Sequence, residues 1–116
     1  MTIKQATEHI DALAAGNASK AEVLFWLSAL DGFVGTLLGG GTAFSPYDEQ
    51  TDPDTLLAIP APFHEAYRFY LEAKLHYQNG DIARFNNANA MFLSLWQQYA
   101  AFLLRGGKTA AATRFY

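Results

Sequence analysis

Four stretches of the chain repeat apolar residues at helical spacing, with glycine or proline between them. Ile3, Ala6, Ile10, Leu13 and Ala14 mark a first helix. A Thr2/Gln5 capping box opens it, and Gly16-Asn17 closes it, since both residues tolerate the left-handed conformation. Ser19 with Glu22 repeats the capping-box signal. Val23, Trp26, Leu27, Leu30, Val34, Leu37 and Leu38 then form one stripe, which predicts a second helix from about Lys20 to Leu38. Asp31-Gly32 is a weak point inside it, because an interior Gly costs about 1 kcal/mol relative to Ala. Gly39-Gly40-Gly41 ends it.

The segment that follows has no period and contains Pro46, Pro53 and Pro60. Asp52 as cap with Pro53 at the first helical position predicts at most one short helical turn. Pro62 suits the start of a third helix, with Phe63, Ala66, Tyr67, Tyr70, Leu71 and Leu75 on its apolar face. Asn79-Gly80 closes that helix, and Asp81 caps a fourth, placing a negative charge at its positive end. The fourth carries the longest periodic signal, through Ile82, Phe85, Ala88, Asn89, Phe92, Leu95, Trp96, Tyr99, Phe102 and Leu103. Gly106-Gly107 ends it.

A link of about two residues makes helices three and four an antiparallel hairpin. The expected fold is all-α: a small helical bundle in which two N-terminal helices pack on a long hairpin at about 62–104. Residues 1–105 form one helical domain with an irregular loop at 39–61, and 106–116 form a flexible C-terminal arm. The chain's 116 residues suit one domain, and 51% apolar with 15% aromatic content suffices for a core. Phe44, Tyr47, Phe115 and Tyr116 lie off the helical faces, either to meet another surface or to fold back onto the bundle.

Composition narrows the chemistry. There is no Cys, so no disulfide framework and no thiolate metal site. No apolar run reaches the length of about 20 residues that a membrane helix needs. The N-terminus lacks a basic stretch followed by an apolar one, which predicts an intracellular protein without a signal peptide. The net charge of −3 argues against a general or sequence-specific nucleic-acid binder. That charge is unevenly placed. Asp48, Glu49, Asp52 and Asp54 crowd into the loop, while the last twelve residues hold Arg105, Lys108 and Arg114 and no acid. These regions are either simply solvated or suited to head-to-tail pairing between copies.

Catalytic patterns are incomplete. His64-Glu65 begins like a zinc-protease helix, but Arg68 stands where the second His is needed. Glu72 and His76 have the wrong spacing for a di-iron bundle, and no second copy exists. Glu65, Arg68, Glu72 and His76 read instead as a charged solvent stripe. His9 lies alone. Gly39-Gly40-Gly41-Thr42 follows a helix, not a strand, and lacks the Lys of a phosphate loop. Asn86, Asn87 and Asn89 are unusual in an apolar helix. They fit a structural hydrogen-bond network between helices or to the 53–61 loop, an intersubunit network, or a ligand cluster.

One further pattern spans residues 23–104. It runs Trp26-Leu27-Ser28-Ala29-Leu30-Asp31-Gly32, an acidic segment into Leu56-Leu57-Ala58-Ile59-Pro60-Ala61-Pro62-Phe63, then Ala66-Tyr67-Arg68-Phe69-Tyr70-Leu71. Ala73-Lys74, Asn79-Gly80-Asp81, Arg84-Phe85-Asn86-Asn87 and Met91-Phe92 complete it. This resembles small tailed-phage and prophage head–tail connector (head-completion adaptor) proteins. Phe85 stands where that family's pattern has a Tyr, and the triple Gly is a departure. The resemblance implies a non-enzymatic virion subunit without cofactor, present in the host cytoplasm before assembly. It would form a ring against the portal through loops and terminal arms. Its contact residues would be Asp48, Glu49, Asp52, Asp54, Arg105, Lys108, Arg114, Phe115 and Tyr116. The alternative is a small-molecule-binding or catalytic bundle, with a site on the Asn86/Asn87/Asn89 face and Tyr67 and Tyr70 opposite.

Overall fold

The structure is a computed structural model that describes residues 1–14, 18–38 and 44–106. The described residues contain four helices: α1 (Ile3–Ala14), α2 (Lys20–Leu37), α3 (Glu65–Gln78) and α4 (Ile82–Leu104). The expected all-α bundle is the observed one. Both capping boxes form. The Thr2 hydroxyl accepts from the Gln5 N–H at 3.1 Å while Gln5 Oε1 accepts from the Thr2 N–H at 3.0 Å. Ser19 and Glu22 exchange the same pair of bonds, each 3.1 Å. The Asp81 carboxylate caps α4 by accepting from the Arg84 N–H at 3.1 Å. Gly80 takes a φ of +74° in the α3–α4 turn, a conformation that L side chains avoid.

α1, α2 and α3 contact one another, whereas α4 approaches only α3 among the helices. The core is accordingly lopsided. Ile3, Ala6 and Ile10 of α1 meet Val23, Leu27, Leu30 and Val34 of α2 and Ala66, Tyr67, Leu71 and Leu75 of α3. Burying one such side chain contributes roughly 1.5–3 kcal/mol. α4 has 23 residues but fully buries only Ala88 and Tyr99. Phe92, Trp96 and Phe102 are half-covered by ring contacts, Phe92 with Tyr70 at 5.2 Å, Trp96 with Phe33 at 5.7 Å and Phe102 with Phe63 at 5.2 Å, whereas Ile82, Met91, Leu93 and Leu104 are exposed. The result is a flattened body, 48 × 34 × 19 Å.

Three boundaries differ from the sequence expectation. α3 begins at Glu65 rather than Pro62. Residues 60–64 form hydrogen-bonded turns instead, with the Phe63 N–H on the Pro60 carbonyl at 2.9 Å and the Ala66 N–H on the Phe63 carbonyl at 3.0 Å. These turns set the Phe63 ring against Tyr99 and Phe102 of α4. The Ala61–Pro62 peptide bond is cis. Asp52-Pro53 starts no helix: the Thr55 N–H bonds the Asp52 carbonyl at 3.0 Å, closing a single β-turn. α2 ends at Leu37, with Leu38 as its cap. The weak point at Asp31-Gly32 does not break that helix. The Phe44 ring fills the space beside Gly32, 3.5 Å from where a Cβ would stand.

Gly16-Asn17, the triple glycine and all of the 106–116 arm except Gly106 lie outside the described residues. So do Lys108, Arg114, Phe115 and Tyr116.

Candidate functional site

The described part of the irregular segment, 44–63, is fastened to the helices at both ends. Its middle, residues 53–57, pairs with the start of the chain. The Ile3 N–H donates to the Thr55 carbonyl at 3.1 Å, the Lys4 N–H to the Pro53 carbonyl at 2.9 Å, and the Leu57 N–H to the Met1 carbonyl at 2.9 Å. Thr2 and Leu56 form an isolated antiparallel bridge. Leu57 and Ile59 then drop into the core, 5% and 0% exposed.

The second fastening is a buried polar junction around Asp31. This carboxylate is 1% exposed and stands on the inward side of α2, four residues after Leu27 and three before Val34. One oxygen accepts from the Tyr67 hydroxyl of α3. The other accepts from the Tyr47 hydroxyl at 2.5 Å and the Ala58 N–H at 3.0 Å. The Tyr67 oxygen in turn accepts from the Ile59 N–H at 2.6 Å. One turn earlier on α2, the Ser28 hydroxyl accepts from the Tyr47 N–H at 2.8 Å and donates to the Leu24 carbonyl at 2.8 Å. An ionised carboxylate offers only acceptors, so three donors converging on it form a satisfied arrangement. Burial raises the Tyr47 and Tyr67 hydroxyls above the ordinary tyrosine range, and the charge and hydrogen bond of Asp31 push the same way. The junction has no spare donor aimed at open space. Its chemistry is adhesive: one carboxylate joins α2, α3 and two points of the irregular segment. Phe44 and Tyr47 thus fold back onto the bundle, their rings 5.3 Å apart edge to face.

A smaller junction ties α1 to α3. His9 Nε2 donates to Glu72 Oε2 at 2.7 Å, with both side chains four-fifths covered. Arg68 lies 3.7 Å from Glu72 and 3.8 Å from Glu65. The stripe expected to be purely solvated therefore carries an interhelix contact. Among the described residues, no group of three or more His, Asp or Glu side chains is gathered closely enough to hold a metal ion. None of the described helices is long and apolar enough to cross a membrane.

The residues singled out in the sequence fall in separate places. Asp48, Glu49, Asp52 and Asp54 are exposed at the tip of the irregular segment. Two of them shape their own turns: Asp48 Oδ1 accepts from the Gln50 N–H at 2.8 Å, and Asp52 Oδ1 from the Asp54 N–H at 2.9 Å. Arg105 is exposed at the C-cap of α4. Asn86 and Asn87 face water and Asn89 is half-buried. They form no bridge to the 53–61 loop, which docks on α1, α2 and α3 and not on the start of α4. Asn89 does share an open groove of about 270 Å³ with Tyr70, Lys74, Tyr77, Phe85 and Phe92. Tyr67 is not part of it, being held at Asp31. The ligand face imagined from sequence is therefore split, with only Asn89 and Tyr70 together.

Sequence reasoning missed Ser28, Asp31, Tyr47 and Tyr67 as a unit, and His9 with Glu72. The available signal was an acid inside the apolar stripe of α2, since a charge there needs partners. Comparison of the chain with protein-family models, curated proteins and solved structures finds no match.

Proposed function

We propose that this chain is a structural subunit of a tailed-phage or prophage particle, of the head–tail connector class. It works through protein–protein contacts, as a ring against the portal, and not by catalysis. The resemblance across residues 23–104 motivates this reading, and one structural observation supports it. Among the described residues the one buried carboxylate, Asp31, is consumed in holding the fold, while large apolar side chains stand in water. Phe25 is 70% exposed, Leu56 72% and Leu104 88%. Exposed apolar surface of this kind marks interaction sites. The acidic tip at 48–54 adds a charged surface on a firmly docked segment, which suits a head-to-tail contact with a basic partner surface.

The direct test looks for a portal gene beside this one, mixes the purified chain with that portal protein and measures mass in solution. Co-migration as a defined ring supports the reading, and no association, or a gene far from any portal or capsid gene, overturns it. The charge-pairing part has its own test. In the Asp48→Asn, Asp52→Asn, Asp54→Asn triple variant the amide oxygens keep accepting the turn hydrogen bonds. The fold should persist and ring assembly should weaken. Unchanged assembly would remove the acidic tip from the interface.

A further inference from the structure

The outward side of α2 is a continuous apolar ridge. Its exposed residues at four-residue intervals are Ala21, Phe25, Ala29, Phe33 and Leu37, with no charge among them. Phe25 is 70% exposed, Phe33 54% and Leu37 50%. Beyond Phe33 the surface continues into an open groove of about 290 Å³ between α2 and α4. Leu93 and Trp96 form its far wall and Tyr70 of α3 its floor. α2 and α4 do not approach each other closely as helices, and among the described residues no helix covers the gap between them.

We infer that a second copy of this chain covers that side, with the two α2 helices crossing antiparallel about a twofold axis near position 27. Three observations select this occupant. First, the ridge alternates small and large residues. Antiparallel pairing sets Phe25 of one copy over Ala29 of the other and Phe33 over Ala21, so each ring enters the gap left by an alanine. Rows spaced by four residues are the ridges that interlock in the commonest helix–helix packing. Second, twofold symmetry places a surface against itself. The N-terminal half of this chain is acidic, and its charged surfaces would meet like charge. The ridge would not. Third, the area is of the right order. The three exposed side chains with Leu93 present on the order of 400 Å² of apolar surface. That is about half of the roughly 800 Å² per partner in a standard interface, before the alanines and the groove walls are added.

Such a pair closes at two copies, so it is a different contact from the head-to-tail one a ring requires. It stands independently of the connector reading. The test is the mass of the full chain in solution across micromolar concentrations, for the natural sequence and for Ala29→Glu and Phe25→Glu. Both positions are exposed, so the monomer fold should survive, as helical circular dichroism would verify. We expect a dimer in the natural chain. Each carboxylate should weaken it by roughly a hundredfold or more, because it enters the apolar contact unpaired. A natural chain that stays monomeric overturns the inference, as does a dimer that both variants leave intact. A natural chain that stays monomeric in solution yet forms rings on the portal overturns this contact and leaves the connector reading standing. A dimer that Ala29→Glu abolishes, in a protein indifferent to portal, supports this contact and counts against the connector reading.

Discussion

The irregular segment and α4 reverse the roles their sequences suggest. Residues 44–63 have no hydrophobic period, yet they insert Leu57 and Ile59 into the core and are pinned by a buried carboxylate. α4 has the longest period in the chain, yet it fully buries two side chains, packs closely along α3 alone and meets α2 only through rings such as Trp96 on Phe33. Periodicity reports which face a helix offers, not whether anything in the same chain covers it. A few directional hydrogen bonds between residues far apart in sequence can fix a segment that periodicity says nothing about.

The largest way to break this contrast is Asp31→Ala. It strands the Tyr47 and Tyr67 hydroxyls and the Ala58 N–H, and should cost about 3–5 kcal/mol. Urea unfolding measures the loss. Hydrogen exchange should show it concentrated in 44–63, with α4 protection little changed at equal global stability. Uniform loss across both regions would mean that the junction is not what distinguishes them.

Tyr67→Phe comes next, at about 2 kcal/mol, because it removes an Asp31 donor and leaves the Ile59 N–H without its acceptor. Tyr47→Phe should cost less, since that residue is half-exposed and its own N–H stays on Ser28.

The same tyrosines give a pH signature. Their raised pKa values mean the native state keeps protons that the unfolded chain releases near pH 10. Stability should be complete below that pH and fall above it, by about 1.4 kcal/mol per unit for Tyr67. Tyr47 adds less, because solvent screens it. The Tyr47→Phe, Tyr67→Phe double variant should flatten the alkaline limb. A slope from Tyr70 and Tyr99, which burial also raises, should remain. An unchanged limb in the double variant would remove the junction from the titration.

The smallest effect belongs to α4. Asn86→Ala and Asn87→Ala should each change monomer stability by less than about 0.5 kcal/mol, as exposed sites do. A loss above 1 kcal/mol in thermal unfolding would show these amides at work inside the fold.

The helices themselves were legible because their signals are local. Thr2 with Gln5, Ser19 with Glu22, Asp81 and Gly80 act within one turn of where they stand. The junction was not legible. Asp31 and Tyr67 are 36 residues apart, Asp31 and Tyr47 16, and no spacing rule connects them. Pro62 misled for a related reason: it permits a helix start, but Phe63 is drawn onto Tyr99 and Phe102 and the helix begins later. Asn86, Asn87 and Asn89 stayed open in the sequence between a network within the fold, an intersubunit network and a ligand cluster, because whether the start of α4 is covered depends on where distant elements pack. In the fold Asn86 and Asn87 face water and Asn89 is half-buried.

Between Arg84 and Arg105, α4 carries no ionisable acid or base other than Tyr99, and the α2 ridge is equally neutral. Contacts made through these surfaces should therefore be nearly indifferent to ionic strength, whereas any contact through the 48–54 tip should weaken as salt rises. A titration with sodium chloride thus sorts this protein's associations by the surface that makes them.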